Sequence, residues 1–485
     1  MAQVKIYNSG CGGGGGGGTA VILAGGGTGS SYRCGVGSTA SGNYSFAIGK
    51  STTASGDYST ASGYYTTASG AYSTASGVYT TASGKFYPTA SGFNTTANAE
   101  SFASVHNGLY NYIGNSVSSS LADYGVVVNG NANNTTGGTW AGTYWSVAPT
   151  PVNSGLYSFI GNGFQNSASG SCYSTILNGC FNTASGNSST ASGFYSTASG
   201  AYSIASSLGT TASGLGSVAS GFLSIANALF STASGYYTIA SGGYSTASGY
   251  CTIAGCFAST ASGNYSLANN DYSTASGSYA IASGSHSTAS GVCTTASSYF
   301  STASGNYTTA SGLHSTASGY YTTASECYAL AQGLRACASQ FGQRSWANAS
   351  FSGTATDQQQ VQYNLSNITT SAVPSFLWLT GSSLGGGEIS VKTDSVMMLN
   401  INTIGIETDG APVASSQVYA IIKNVAGTTS IVHQNVIADH YGVGGLAITI
   451  IDNDASDTLR IQVTGTANTM RWVSYVNGVE ILYAT

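Results

Sequence analysis

AIGKST, Ala47 to Thr52, sets a glycine, a lysine and hydroxyl side chains in the order of a phosphate-binding loop. The earlier glycine that such a loop requires is replaced by Tyr44, and Gly49 already belongs to a seven-residue register, so no nucleotide is expected there. The nine cysteines (Cys11, Cys34, Cys172, Cys180, Cys251, Cys256, Cys293, Cys327 and Cys337) contain no CxxC pair, and the five histidines do not gather around them. A zinc site is therefore not expected. Cys251 and Cys293 stand where neighbouring repeats carry Tyr, which suits small, reduced packing residues. DNDASD, Asp452 to Asp457, offers the oxygen ligands that calcium favours, yet the same residues suit a polar hairpin turn better. No metal or cofactor is expected.

Catalytic sets are missing as well. No Ser-His-Asp group stands apart from the repeats, and His286 and His314 occupy corner or Tyr positions, as surface substitutions would. The chain is not expected to be an enzyme; a depolymerase site assembled across subunits from C-terminal carboxylates is the one arrangement left open. The remaining candidates are aromatic. GGTWAGTYWSVAPTPVNSG holds Trp140 and Trp145 and fits no repeat. The two rings either cover a change in coil width or contact a carbohydrate by stacking on its face, and they are the candidate ligand contacts.

Whatever positions these residues is built from a repeat. From Tyr58 the chain reads YSTASGYYTTASGAYSTASGVYTTASGKF, and a glycine or its substitute recurs every seven residues from Gly42 to Gly84 and again from Gly186 to Gly333. A coiled coil would need apolar a and d positions with helix formers between them. ASG in every heptad opposes a helix, whereas Tyr, Ser, Thr and Ala followed by Ser-Gly suit a short strand and a corner.

Heptads come in pairs. Ser59, Thr66, Ser73 and Thr80 alternate, as do Ser301, Thr308, Ser315 and Thr322; Ile225, Ile239, Ile253, Leu267 and Ile281 interleave with Thr232, Thr246, Thr260 and Thr274. The period of 14 predicts a solenoid coil of two strands and two corners, with alternate strands in separate sheets. Coils rising by one inter-strand spacing would make the second block about 50 Å long and the first about 15 to 20 Å. Alternation along each strand puts Tyr with Thr or Ile on one face and Ser or Thr with Ala on the other. The series Ala54, Ala61, Ala68, Ala75, Ala82 marks a face too tight for anything larger.

Hydrophobic residues make up 42% of the chain and charged residues only 5%, so solubility rests on hydroxyls and amides, as in a rigid surface structure. With 34 Tyr the chain is too aromatic for disorder. No Lys or Arg occurs between Lys85 and Arg335 and the net charge is -5, which argues against nucleic-acid binding. No apolar run approaches a membrane span. MAQVKIYNSGCGGGG lacks the basic and then apolar pattern of a secretory signal, so release by lysis, as for a virus part, is expected. A coil this small encloses little volume. Its long apolar and aromatic faces are best buried against identical copies, at about 25 cal/mol per Å² removed from water, which predicts a homo-oligomer around an axis along the rod, three-fold as first choice.

The ASG heptads, SFAIGKSTTASG at Ser45 to Gly56 and the 14-residue coil resemble the head repeats of trimeric autotransporter adhesins. That resemblance implies a left-handed parallel β-roll in a homotrimer. The C-terminal third, with FGQRSWANASFSGTATDQQQVQYNLSNITT, FLWLTGSS and LRIQVTGTANTMRWVSYVNGVEIL, is similar to a β-rich terminal domain found behind such repeats in phage tail or virion fibres. By that similarity Arg471 and Trp472 are packing residues.

The expected fold is all-β throughout. A Gly-rich attachment or capping segment (1–37) precedes β-roll repeats (38–92), irregular wider coils with Asn-Gly corners and a Trp-containing loop (93–185), and further β-roll repeats (186–356). A C-terminal antiparallel β-sandwich or jelly-roll-like domain (357–485) is expected to trimerise, cap the last coil and present a receptor tip. The expected function is a structural and adhesive trimeric fibre of a virion, a phage tail or capsid fibre. It would hold the larger virion body through its N-terminal segment and bind a host-surface receptor, with carbohydrate as a candidate class. A cell-surface adhesin or extracellular filament protein and an ice-binding β-solenoid with Thr ladders are the alternatives.

Overall fold

The computed structural model describes residues 23–27, 29–98, 101–114, 125–136, 139–140, 145–147, 150–151, 156–170, 172–349, 358–381, 387–408, 410, 413–442 and 445–483. The glycine run of the expected attachment segment, Gly12 to Gly18, lies outside them. The chain divides into two compact units, Met1–Cys251 and Thr252–Thr485, a division that falls inside the second repeat block. Among the described residues every element is a strand except one 3-10 turn at Asp454–Ser456.

In the first unit the repeats form a parallel β-solenoid. Long strands such as Thr60–Tyr64 and Thr74–Val78 alternate along the chain with short ones such as Thr67–Ala68 and Thr81–Ala82. In the regular coils long strands pair with long ones, Thr60 against Thr74, and short with short, Thr67 against Thr81, in parallel. One coil is thus two heptads. The two heptads differ because Gly63 in the long strand sits at φ +122, where L side chains rarely go, and a Cβ there would lie 2.0 Å from the Gly77 carbonyl oxygen of the next coil. Glycine takes this close approach without strain, and Ser207, level with Gly193 in the same column, takes it at φ 95.

Ser59, Ala61, Thr66 and Ala68 are fully buried, while Thr60, Ser62 and Thr67 are partly exposed, so the Ser/Thr and Ala columns form the inner face. The tyrosines do not share the Thr face. Tyr58, Tyr65, Tyr72 and Tyr79 have φ of 56, 53, 56 and 55, so each is itself a corner of the coil. The Tyr79 N–H donates to the Tyr64 carbonyl at 2.8 Å, tying one coil to the last. Left-handed backbone costs an L residue about 1–2 kcal/mol; ring stacking along the corner column offsets about 0.5–1.5 kcal/mol of it.

The second unit opens with the same coils. Thr260–Asn264 pairs with Thr274–Ser278 and Ile253–Ala254 with Leu267–Ala268. The last long strand, Arg344–Ala347, pairs in parallel with Leu330–Leu334. A terminal domain follows with strands β1 (Gln358–Thr369), β2 (Ser375–Phe376), β3 (Ile389–Ser390), β4 (Ser395–Glu407), β5 (Val413–Val425), β6 (Thr428–Tyr441), β7 (Ala447–Asn453), β8 (Thr458–Thr464) and β9 (Met470–Leu482). One antiparallel sheet runs β1–β9–β4–β5–β6. In the second, β2 and β3 lie on one side of β8 and β7 on the other.

Strict alternation along β4 sends Met397, Leu399 and Ile401 inward to meet Leu377, Ile389, Leu459, Ile461 and Val463 of the second sheet in one apolar core. Trp472 is fully buried there, its Nε1 donating to Thr369 Oγ1 at 3.0 Å. Arg471 points to the opposite face and is exposed, which corrects the expectation that both residues pack. Period-two geometry makes neighbours on a strand face apart.

Candidate functional site

Wider coils interrupt the regular ones between Thr89 and Thr190. N-G-x-x-N recurs there at Asn107–Asn111, Asn129–Asn133, Asn162–Asn166 and Asn178–Asn182. Each second asparagine takes the place of the buried Ser or Thr of a regular coil, and their amides form a ladder. Asn111 Oδ1 accepts the Asn133 N–H at 3.1 Å, Asn133 Oδ1 the Asn166 N–H at 3.2 Å, Asn166 Oδ1 the Asn182 N–H at 3.1 Å and Asn182 Oδ1 the Ser196 N–H at 2.9 Å. Each amide nitrogen donates within its own corner and to the next coil's, as Asn166 Nδ2 does to the carbonyls of Asn162 (3.4 Å) and Gly179 (2.8 Å). A hydroxyl reaches one such carbonyl; an amide reaches two and still accepts, so it fills a wider corner. The Asn-Gly corners were expected from the sequence and the second Asn was not, although its fixed spacing is visible there.

One of these coils carries the tryptophan segment. Thr135–Thr136 pairs antiparallel with Thr150–Pro151, and Thr139–Trp140 with Trp145–Val147, so the expected loop is a two-stranded excursion. Its backbone sets Trp140 opposite Trp145, with a register shift beside Trp140; the side chains lie outside the described residues. The excursion stands where a short strand would be, and Asn134 bridges the gap, with Nδ2 donating to the Tyr112 carbonyl at 3.1 Å and Oδ1 accepting the Ala168 N–H at 2.9 Å. The Tyr112 carbonyl and the Ala168 N–H of the neighbouring coils thereby keep partners across the insertion.

The corners present columns of stacked rings. Tyr44, Tyr58, Tyr72, Tyr87 and Phe102 follow one another with centroids 5.0, 4.9, 4.8 and 5.1 Å apart. In the second unit the column is Tyr272, His286, Phe300, His314 and Tyr328, at 4.8, 4.9, 5.0 and 5.2 Å, so both histidines are members of a ring stack. Cys251 and Cys293 occupy corners too, at φ 51, as free thiols.

A family model for the YadA head domain repeat, in two copies, matches residues 35–52, 40–66, 54–80, 61–86, 184–206, 212–238, 257–280, 268–292 and 296–322. These stretches of coil are similar to YadA head domain repeats. The matched windows do not include the wide coils or the terminal domain. No curated protein matches the chain. Among solved structures, the tailspike protein of Acinetobacter phage vB_ApiP_P1 aligns over 93% of this chain and 80% of that chain at 10% identity, with a TM-score of 0.17. At that score the likeness carries no structural argument.

The coils of the second unit end in a built cap. Strand β1 lies antiparallel against the last long strand, Gln362 opposite Arg344 and Val361 opposite Ser345, closing an edge that would otherwise be open. Glutamines close the rest: Gln343 Oε1 accepts the N–H groups of Ser339 (2.8 Å) and Gln340 (3.0 Å), and Gln340 exchanges bonds with the Ser390 backbone at 3.0 and 2.8 Å. Farther into the terminal domain, the carboxylates of DNDASD are engaged by β6. Asp454 accepts the Thr429 N–H at 2.9 Å, Asp457 the Thr429 hydroxyl at 3.0 Å and Asp452 the Ile431 N–H at 3.4 Å. Among the described residues no group of three His, Cys, Asp or Glu is placed to hold a metal, and no helix is long and apolar enough to cross a membrane.

Proposed function

We propose that this chain is a structural and adhesive fibre of a virion, a phage tail or capsid fibre, that works as a homotrimer and attaches to a host-surface receptor without catalysing a reaction. The observation that carries the reading is a solenoid of adhesin-type head repeats that ends in a hydrogen-bonded β cap. In-register coils supply reach and stiffness, and the cap supplies an end that does not polymerise edge to edge. A core of Ala, Ser and Thr columns is thin, while Ile204, Ile253 and Ile281 remain 45%, 37% and 37% exposed in the single chain. The exposure of these aliphatic side chains is what supports the trimer, in which identical copies would cover them.

Light scattering on the purified protein tests the assembly, with three copies expected; a stable monomer overturns it. Labelled protein should adsorb to host cells, and deleting the residues before Ser38 should leave the coils folded and abolish incorporation into particles. Incubation with host polysaccharide is expected to leave its chain length unchanged, and shortened chains would refute the non-enzymatic reading.

The head repeats themselves favour a second reading, an adhesin on a cell surface, which immunogold labelling of cell envelopes rather than particles would establish. Ice binding has less support: the column of Thr183, Thr197 and Thr211 on the short strands gives way to Ile225 and Ile239, so the hydroxyl array is broken.

A further inference from the structure

We infer that the outer face of the five-stranded terminal sheet holds a binding site for a neutral saccharide. This deepens the adhesive reading, on which it rests. A hollow of about 470 Å³ opens there, within the range of about 300–1,000 Å³ usual for ligand pockets. Its floor is two adjacent rungs of the sheet. Gln417, Asn402 and Tyr475 stand opposite one another on β5, β4 and β9, and Ser415, Ile404 and Val473 form the next rung. Their chain neighbours Ile401 and Trp472 are buried in the core, so all six point outward.

The wall is made by an irregularity in β6. Its pairing with β5 shifts between Gln417 and Val418, so that Ala438 opposes Gln417, Val436 opposes Val418 and Ile437 is left over. A bulge of this kind bends and re-aims a strand. Here the small Ala438 side chain is the one set at the edge of the hollow.

The lining chooses the ligand. None of the lining residues carries a carboxylate, an ammonium, a guanidinium or an imidazole, so nothing in the hollow would pair with a charged ligand. Tyr475 keeps 40% of its surface exposed, and the C–H face of a sugar ring can lie on such a ring. Asn402 and Gln417 each offer a donor and an acceptor beside it, the complement of vicinal hydroxyls. Ile404 and Val473 supply the apolar patch that a sugar's opposite edge covers.

The test is ligand-observed saturation-transfer NMR on the full-length protein with a mixture of free glucose, galactose, N-acetylglucosamine and N-acetylgalactosamine. Transfer to sugar C–H protons is expected from the wild type. It should be lost in Tyr475→Ala and in Asn402→Ala, with unchanged melting, and retained in a Trp140→Ala/Trp145→Ala double variant. Should Tyr475→Ala fail to fold, Gln417→Ala reads the same rung. Absence of transfer from the wild type, or undiminished transfer in correctly folded variants, overturns the site. Host-cell adsorption measured on the same samples separates the two readings: adsorption without sugar transfer refutes this site and leaves the adhesin, whereas sugar transfer without adsorption refutes the adhesin and leaves the site.

Discussion

Gln359 joins the terminal domain to the last short strand of the solenoid, its Oε1 accepting the Cys337 backbone N–H at 2.9 Å while its Nε2 donates to Glu480 at 2.6 Å. Glu480 is buried and also takes Lys392 Nζ at 2.9 Å. One amide thus satisfies both a strand edge and a buried carboxylate. Gln359→Leu leaves each without that partner, and stranding a buried polar group costs about 1–3 kcal/mol. The variant should unfold at lower denaturant, measured by chemical denaturation of the full chain, and an unchanged midpoint would show that the cap does not depend on this residue.

Gly405 lies opposite Trp472 in the pairing of β4 with β9, and a Cβ there would come within 2.3 Å of the indole ring. Ala at this position must displace a fully buried ring that is also hydrogen-bonded to Thr369. Gly405→Ala is expected to destabilise the terminal domain by about 1–3 kcal/mol, seen as an earlier transition in tryptophan fluorescence; a melting curve equal to wild type would contradict the packing described.

At the Tyr58 corner, φ 56 and two stacked neighbours oppose each other energetically. Tyr58→Gly removes the backbone strain along with the stacking and should be nearly neutral, as Gly209 and Gly216 already stand at such corners at φ 65 and 63. Tyr58→Val loses the stacking and keeps a β-branched residue in left-handed backbone, so it should cost more, by about 1–2 kcal/mol. Equal melting temperatures for the two would remove the corner assignment.

The Asn166 side chain makes four ladder contacts inside the wide coils. Asn166→Leu should therefore be more destabilising than Asn166→Ser, which keeps one donor, with a loss of at least about 2 kcal/mol. Hydrogen exchange at the backbone amide of Asn182 is the local readout, and unchanged protection in the Leu variant would count against the ladder.

Tyr363 titrates against the fold. Burial first, then the charges of Glu480 and Cys337, hold its phenol well above the ordinary 10.0, with the hydrogen bond from Gln340 acting weakly the other way. A raised folded value means that the folded state keeps the proton that the unfolded state releases. The contribution is complete below about pH 10 and is lost as pH rises from there toward the folded value. Melting temperature should fall above pH 10, and Tyr363→Phe should flatten that fall; equal slopes in the two proteins would exclude Tyr363 as its source.

Much of the architecture was legible because a repeat states its own geometry many times over. Ser59, Thr66, Ser73 and Thr80 showed a coil of two unlike halves, since residues on different sheets meet different surroundings. The inner Ala column was legible for the same reason. Trp140 and Trp145 were recognisable as foreign to the repeat, but they were expected in a loop, and the antiparallel pairing that carries them comes from the structure. By contrast, the tyrosines were assigned to a strand face, because their β propensity outweighed in sequence what the backbone decides at a corner. Arg471 was grouped with Trp472 although strand alternation separates them.

The coil period, the inner and outer columns and the change to an antiparallel domain near Asp357 are local signals, readable along the chain. That left-handed corners fall on tyrosine, that an asparagine ladder carries the wide coils and that Gln359 meets Cys337 came from the three-dimensional arrangement. It also decided that Asn402, Gln417 and Tyr475 share one rung. Those relations depend on which distant strands become neighbours, and hydrogen-bond register between strands is set by the whole sheet rather than by any segment's own residues.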